Sequence, residues 1–376
     1  MRINERICVN GTEIGDDEFA AIHGEVDRVA EKLVEQGELP WHPSFFEMMT
    51  AIAFRYFERE RIDIAVLEVG MGGRLDATNV VEPLVSVVTD ISLDHQKFLG
   101  NTVGEIAREK VGIIRPGGVV VTLPQQPEAN DVIGNTILDL GAHGVSAVQY
   151  VPPVSPGSAD YVVASPKSRV LSPEKTAYFY RYPLQVLGKQ ILVETPLVGR
   201  HQLRNVALAV AAAEEVSKLG VAGITPESIE RGIRETQWPG RFQVIPAREG
   251  WPEIVFDVAH NPAGAWALRS ALSERYDDRP LIFVFGAMRD KAISEMTEIL
   301  FPVAERVIAT RPENPRAATP EEIAEAGSRT GTEIEQVADV RMALERAREC
   351  AGPKAVIVVT GSIYLVGEVM GLLRSK

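Results

Sequence analysis

Side chains that could bind a metal ion or move a proton follow two apolar runs early in the sequence. Ile62–Leu67 and Leu84–Val88 have the length and the β-branched content of buried parallel strands. Glu68 comes directly after the first run, and three polar residues follow the second: Asp90, Asp94 and His95. Because ligands bind outside the carboxyl ends of the strands in open α/β sheets, this pattern predicts a ligand site.

The loop after the first run is rich in glycine, which lets the backbone approach a ligand closely. Its glycines are Gly70, Gly72 and Gly73. A carboxylate and an imidazole beside such a loop indicate a divalent metal ion and a phosphate. The simpler alternatives are a solvated Glu68 and a His95 that caps the following helix. Four further polar residues favour the functional interpretation: Arg74, Asp76, Thr78 and Asn79.

The composition is that of a globular protein. The chain has 376 residues, 45% of them hydrophobic and 24% charged, so it is long enough for two cores. Its net charge of −13, with no basic tract, argues against a nucleic-acid or anionic-membrane partner. Cys8 and Cys350 give no disulfide framework and indicate a reducing, cytoplasmic location. We recognise no apolar stretch long enough to span a bilayer and no signal peptide.

Capping signals predict the helices of the first part of the chain. The helix after Ser44 begins with a capping box, because Glu47 follows the cap by three residues. Periodicity alone assigns Phe45 and Phe46 to the core. A helix over 102–114 carries Lys110 near its carboxyl end, where the helix dipole favours a cation. The other predicted elements are a strand over 1–11, a helix from 16 or 17 to 36, a strand over 118–123 and a helix over 128–140.

The last part of the chain alternates strands with helices. Strands are predicted over 254–258, 281–285, 306–309 and 355–359, and helices begin at 262, 292, 320, 340 and 363. This is a doubly wound, Rossmann-like domain, and no G-x-G-x-x-G follows its strands to indicate a dinucleotide. Residues 145–198 are predicted to form a β-rich subdomain, and helices begin near 200 and 226. The Pro-Gly turn in W-P-G-R-F predicts a boundary between domains 1–240 and 241–376.

Several motifs together resemble one enzyme family. They are E-V-G-M-G-G-R-L-D-A-T-N, L-D-H-x-x-F-L-G, I-A-R-E-K-V-G-I-I-R-P-G and F-D-V-A-H-N-P. They resemble folylpolyglutamate synthase/dihydrofolate synthase, which belongs to the Mur-ligase superfamily of ATP-dependent amide-forming enzymes. The resemblance covers nearly the whole chain. It implies an α/β fold with a Mur-ligase-like central ATPase domain, incomplete at its N-terminus, and a C-terminal Rossmann-like doubly wound domain.

The resemblance also implies roles for individual residues. Glu68 and His95 would hold Mg²⁺, and Lys110, carbamylated in the family, would act with His260 beside the phosphates. ATP would be contacted by Asn205 at the adenine, Arg241 at the phosphates and Asp257 at the ribose. The folate substrate would be contacted by Ser44, Phe45, Phe46, Glu47, Leu75, Asp76 and Ala77.

The small molecules implied are ATP, Mg²⁺, a further K⁺ ion, L-glutamate, and folate or dihydropteroate. A cytoplasmic monomer without nucleic-acid or membrane partners is expected. The family's P-loop, G-T-N-G-K-G-S, does not occur among the 376 residues. Such a loop cradles phosphates with backbone N–H groups, while its Lys and Ser/Thr meet phosphate and magnesium. The sequence begins where the family continues downstream of that loop. A fragment or a degenerate homologue is therefore expected, and these residues alone are expected to show no measurable ligation.

Three functions are consistent with the sequence. The first is an ATP-dependent ligase that adds L-glutamate to dihydropteroate, to folates, or to both. The second is a non-catalytic binder of folate or nucleotide, and the third is a Mur-type ligase with another acceptor. The F-F-E and G-G-R-L-D-A-T-N motifs favour a folate substrate over the other acceptor of a Mur-type ligase. Whether dihydrofolate synthesis, glutamate-tail extension or both occur stays open.

Overall fold

A computed structural model describes residues 2–153, 162–164, 178–221, 223–248 and 250–374. The chain forms two compact units, Met1–Val120 with Pro124–Gly144, and Val121–Leu123 with Val145–Lys376. The domain division proposed at residue 240 stays a prediction. Within the described ranges, no helix combines the length and the apolar character that crossing a membrane requires.

The first part of the chain contains five helices and five strands among the described residues. The helices are α1 (Asp16–Glu35), α2 (Phe45–Glu60), α3 (Gln96–Leu99), α4 (Val103–Lys110) and α5 (Pro127–Asp139). The strands are β1 (Cys8–Val9), β2 (Thr12–Glu13), β3 (Val85–Val88), β4 (Val119–Thr122) and β5 (His143–Ser146). β3, β4 and β5 form one sheet in that order. α4 and α5 pack against it through a core that includes Val88, Ile106, Val120 and Ile133.

The N-terminal strand is shorter than predicted. Ile3–Arg6 is a 3-10 helix, and only Cys8–Val9 pairs, antiparallel, with β2. The Asn10–Gly11 turn between them has φ values of 51° and 77°, the left-handed values that an Asn-Gly hairpin turn requires.

The capping box predicted for α2 is confirmed. The Ser44 hydroxyl accepts a hydrogen bond from the Glu47 N–H (3.4 Å), and the Ser44 N–H donates to the Glu47 carboxylate (2.7 Å). Thr102 and Glu105 form the equivalent box at α4. These bonds satisfy N–H groups that otherwise have no partner in the first helical turn.

The strand predicted at Ile62–Leu67 is wrong. This segment pairs with no strand among the described residues, and Val66 and Ile64 are 93% and 43% exposed. An apolar, β-branched sequence favours a strand, but a strand also requires a neighbour that completes its hydrogen-bond ladder. Glu68 therefore follows an unpaired segment instead of a strand of the sheet.

The rest of the chain contains seven helices and nine strands among the described residues. The helices are α6 (Arg200–Lys218), α7 (Pro226–Arg234), α8 (Pro262–Tyr276), α9 (Ile293–Leu300), α10 (Pro320–Ala326), α11 (Val340–Cys350) and α12 (Ile363–Arg374). The strands are β6 (Val162–Ala164), β7 (Tyr178–Val186), β8 (Lys189–Thr195), β9 (Gln243–Ile245), β10 (Glu253–Phe256), β11 (Leu281–Phe285), β12 (Arg306–Ala309), β13 (Glu333–Gln336) and β14 (Val356–Thr360).

The predicted β-rich segment contains a three-stranded antiparallel sheet, β6-β7-β8. β7 and β8 are joined by a tight turn at Leu187 and Gly188, whose φ values are 50° and 77°. Residues 154–161 and 165–177 of the predicted segment lie outside the described residues.

The α/β fold class and the doubly wound C-terminal architecture are confirmed. The six-stranded sheet has the order β13-β12-β11-β14-β10-β9, and only β9 runs antiparallel to its neighbour. Side chains from α8, α9 and α10 cover one face of the sheet, and side chains from α11 and α12 cover the other. The carboxyl ends of β10, β11, β12 and β14 therefore share one edge, where ligands bind in such sheets.

Candidate functional site

The loop after Glu68 is organised by one carboxylate. Asp76 Oδ2 accepts hydrogen bonds from the backbone N–H groups of Gly70 (2.9 Å) and Met71 (3.0 Å). Asp76 Oδ1 accepts from the N–H (3.0 Å) and the hydroxyl (2.6 Å) of Thr78. Two successive N–H groups that converge on one oxygen form an anion-binding nest. Asp76, predicted to contact the substrate, thus also holds its own loop in shape.

Phe45 and Phe46 have different surroundings, although both were predicted to contact the substrate. The Phe46 ring lies against Gly70, where a Cβ would come within 2.6 Å of Cζ. Phe45 is 61% exposed at the start of α2, so its ring presents area on which a flat heterocycle could stack. Of the remaining candidates, Leu75 is 80% exposed and Ala77 is half-buried.

His95 has an unusual backbone conformation. Its φ and ψ are 50° and 34°, a left-handed conformation that is uncommon for residues other than glycine. Residues with such strained backbones cluster at functional sites. It occupies the N-cap position of α3, as one interpretation predicted, but its side chain makes no capping bond. The His95 N–H donates instead to the Asp94 carboxylate at 2.8 Å.

The proposed metal ligands Glu68 and His95 are both exposed. In the part of the chain that the structure describes, no group of three or more His, Cys, Asp or Glu side chains is arranged to hold a metal ion. Mg²⁺ usually keeps several waters and binds through one or two carboxylates plus substrate phosphates, so a two-residue set fits it. Because Mg²⁺ prefers oxygen, Glu68 is the stronger of the two candidates.

Lys110 is half-buried at the end of α4. Burial lowers the pKa of its amine, and the charge of Asp94 acts in the opposite direction. A buried ammonium loses hydration, which disfavours the charged form. An uncharged amine is the form that carbon dioxide can carbamylate, so this environment suits the predicted modification.

In the second unit, Asp257 joins two loops beside β10. Its Oδ2 accepts from the Phe242 N–H and its Oδ1 from the Ala259 N–H, both at 2.9 Å. Phe242, at a left-handed φ of 47°, follows the exposed Arg241. The carboxylate therefore fixes the turn that carries Arg241 and the loop that carries His260.

A contact with the backbone helps to orient His260. Its Nδ1 lies 3.0 Å from the Val258 carbonyl oxygen, which can only accept, so Nδ1 carries the proton. In the neutral ring the lone pair is then on Nε2. The next residue, Asn261, caps α8 by accepting from the Gly264 N–H at 2.8 Å.

Asn205 is exposed on the second turn of α6. Its amide nitrogen donates to the Gln202 side-chain oxygen at 3.1 Å, which orients the amide, and Gln202 is 8% exposed. Gln202 was not among the predicted site residues. Gln202 lies three residues before Asn205, which places both side chains on one face of the helix. This spacing is the sequence signal that could have identified Gln202.

Asp257 has an unusual titration that can be tested. Burial raises its pKa from 3.8 to about 6, against the lowering effects of its two backbone bonds and Arg241. Because the pKa of Asp257 is higher in the folded state, the folded protein binds the proton at a higher pH than the unfolded chain does. The free-energy cost of the buried negative charge is therefore relieved as pH falls from about 6 towards 3.8. The Asp257 contribution to the free energy of unfolding should therefore rise on acidification, by on the order of 2–3 kcal/mol.

The measurement is urea unfolding of the parent and Asp257→Asn between pH 4 and pH 7. The parent should gain stability relative to the variant as pH falls, since the variant has no carboxylate to protonate. A difference that is constant with pH would contradict the assigned environment of Asp257.

Two family models match the chain. The "Mur ligase middle domain" matches residues 46–213, and the "Mur ligase, glutamate ligase domain" matches residues 240–363. The second match includes Arg241, Asp257 and His260, and the first includes the candidates from Phe46 to Asn205.

Characterised relatives match over nearly the whole chain. Dihydrofolate synthase/folylpolyglutamate synthase of Bacillus subtilis is 32% identical over 378 residues, which is 100% of this chain and 82% of the relative. The structure of Mycobacterium tuberculosis folylpolyglutamate synthase complexed with ADP and AMPPCP superposes with a TM-score of 0.83 at 30% identity, covering 98% of this chain and 81% of that one. E. coli FolC in complex with DHPP and ADP gives 0.79 at 27% identity, covering 100% and 80%.

Proposed function

Because this chain belongs to the folylpolyglutamate synthase/dihydrofolate synthase family, we propose that it joins L-glutamate to a folate or dihydropteroate carboxylate with the energy of ATP. The observation that carries the proposal is the 32% identity to a synthase of that description over 100% of this chain. None of the relatives or the solved structures that the chain resembles favours a non-catalytic binder or a ligase with another acceptor.

The reaction has two steps. In the first, a carboxylate oxygen of the folate substrate attacks the γ-phosphorus of ATP, forming an acyl phosphate and releasing ADP. In the second, the glutamate amine attacks the acyl carbon, the C–O bond to phosphate breaks, and the amine loses a proton. Phosphoryl transfer depends mainly on positioning and on neutralising charge. Mg²⁺ bound at Glu68 and His95 would offset the charge of the transferring group.

Individual residues have proposed tasks that their surroundings support. Lys110, as a carbamate, would add an anion beside the metal–phosphate site. Exposed Arg241 has the bidentate guanidinium that pairs with phosphate oxygens, and Asp257 fixes its turn. Asn205 would meet the adenine with an amide oriented by Gln202. His260 would lie beside the phosphates with its orientation set by Val258.

The experiment that tests the proposal measures phosphate release from ATP by the protein as its gene encodes it. Each of ATP, L-glutamate and the folate or dihydropteroate substrate is omitted in turn, and the product is examined by mass spectrometry. Release that requires all three, with one added glutamyl group, is expected. Release without a folate substrate would contradict the proposed acceptor.

The two phenylalanines of α2 should respond differently to truncation. Phe45→Ala removes an exposed ring, so the free energy of unfolding should change little while the affinity for the folate substrate falls. Phe46→Ala removes a ring packed on Gly70 and should lower the free energy of unfolding by roughly 2 kcal/mol, less than for a fully buried Phe. Urea unfolding and calorimetric titration with dihydropteroate separate the effects. Equal losses of stability in both variants would contradict the assignment.

A further inference from the structure

The Gly70–Asn79 loop interlocks with the carboxyl end of α4. The Arg74 N–H donates to the Glu109 carbonyl oxygen at 2.9 Å. The Arg74 guanidinium also donates to both carboxylate oxygens of Glu109, at 3.0–3.2 Å. Arg74 is thus bound to Glu109, the residue before Lys110, through both its backbone and its side chain. We call this pair the Arg74–Glu109 clasp.

The backbone of the loop and the backbone at the end of α4 approach so closely that no side chain fits at Gly73 or Gly112. A Cβ at Gly112 would lie 2.4 Å from Arg74 Cβ and 2.6 Å from Arg74 Cα. A Cβ at Gly73 would lie 2.9 Å from the Lys110 carbonyl oxygen and 3.0 Å from that of Glu109. Contacts this short force backbone atoms apart, so neither glycine can gain a side chain unless the loop moves away from the helix.

Asn79 provides a third connection. Its amide nitrogen donates to the carbonyl oxygens of Arg74 (3.1 Å) and Gly112 (3.0 Å). Its side-chain oxygen accepts from the Arg115 guanidinium at 2.9 Å. The loop is therefore attached on both sides of Lys110, at Glu109 and at Gly112.

We propose that Arg74, Glu109 and Gly112 are positioning residues, which hold Lys110 half-buried and in fixed register with the loop that carries Asp76. The inference rests on the proposed function in treating Lys110 as part of the phosphate site. The Arg74 side chain is 54% exposed, and such ion pairs contribute only about 0–1 kcal/mol to stability. We therefore expect the clasp to affect the position of Lys110 more than the free energy of unfolding. The lowered pKa of Lys110 agrees with the burial that the clasp maintains.

The test compares two glycine substitutions at opposite ends of the same helical segment. Gly112→Ala introduces the clash with Arg74, whereas a Cβ at Gly104 in α4 meets only Glu128 Cβ, at 3.8 Å. Each purified protein is treated with trace acetic anhydride in bicarbonate-free buffer, and the acetylation rate of every lysine is read by peptide mass spectrometry. Because a lowered pKa by itself increases the reactive, uncharged amine, the rates are compared after extrapolation to high pH, where every lysine is uncharged. On that scale the amine of Lys110 should react more slowly than that of exposed Lys32 in the parent and in Gly104→Ala. In Gly112→Ala its rate should rise towards that of Lys32, with other lysines unchanged.

Glu109→Gln supplies a second variant that keeps the side-chain shape and introduces no clash. Its matched control is Glu322→Gln, which removes the carboxylate that pairs bidentately with Arg289 in the other unit. A selective rise at Lys110 in Glu109→Gln, but not in Glu322→Gln, supports the proposal, even where Gly112→Ala does not fold. An unchanged Lys110 rate in Glu109→Gln would overturn it. The readout does not require ligase activity, so failure of the proposed function would be recognised separately.

Discussion

Glu68→Gln, made in the protein as its gene encodes it, should lower the rate of glutamate ligation by roughly 10–100-fold or more, by analogy with perturbed metal sites. The variant keeps the size of the side chain but removes the anionic oxygen that Mg²⁺ prefers. His95→Ala should also reduce turnover, by a smaller factor, because imidazole is a weaker partner for this ion. Ligation is measured against Mg²⁺ concentration, and the apparent Mg²⁺ requirement should rise in both variants.

Glu82→Gln and His23→Ala are matched controls. Glu82 is an exposed carboxylate whose nearest ion-pair contact, to Arg115, is 3.7 Å long, and His23 is an exposed histidine of α1. Both should keep parental rates and the parental Mg²⁺ requirement. Parental rates at limiting Mg²⁺ in Glu68→Gln and His95→Ala would show that the metal ligands are assigned wrongly.

Lys110→Ala, made in the protein as its gene encodes it, should abolish most ligation activity, because we expect Lys110 to carry a carbamate. A cationic lysine would repel the metal ion, whereas a carbamate supplies an anion. Burial that lowers the pKa of Lys110 increases the uncharged amine from which the carbamate forms. Small carboxylic acids in the assay buffer should restore part of the activity of Lys110→Ala, since they replace the missing anion.

Lys110→Arg distinguishes the carbamate from a simple positive charge. Arginine keeps the cation but cannot be carbamylated, so this variant should be no more active than Lys110→Ala. Lys97→Arg, on the exposed surface of α3, is the matched control and should retain full activity. Full activity of Lys110→Arg would show that Lys110 is only a cation near the end of a helix.

Local signals predicted most elements of the fold. The capping residues Ser44 and Thr102 fix the starts of α2 and α4, because side-chain oxygens there satisfy N–H groups within a few residues. The bounds of β11 and β12 were predicted to the residue, since the buried residues of both strands form apolar runs. β9 and β13 were missed because they lie at the sheet edges, are short and contain no fully buried residue.

Pairing between distant segments limited the prediction elsewhere. The segment Ile62–Leu67 has the composition of a strand, but composition does not say whether a neighbour is present to complete its ladder. In the candidate site, the glycine-rich loop was predicted to approach a ligand, yet Gly73 and Gly112 are needed for contact between loop and helix. Asp76 likewise bonds to its own loop. The roles of Gly73 and Gly112 depend on contacts between the loop and a helix about 35 residues away in the sequence, as in the Arg74–Glu109 pair. A local sequence pattern carries no information about such distant contacts.

The most direct test of the proposed ligase follows one oxygen atom. The folate or dihydropteroate substrate is prepared with ¹⁸O in the carboxylate that accepts glutamate, and the protein as its gene encodes it is supplied with ATP, Mg²⁺ and L-glutamate. An acyl phosphate carries one carboxylate oxygen into the departing phosphate, so each released phosphate should contain one ¹⁸O and the new amide should retain the other. Phosphate without ¹⁸O would show that the carboxylate is not phosphorylated and would contradict the proposed reaction.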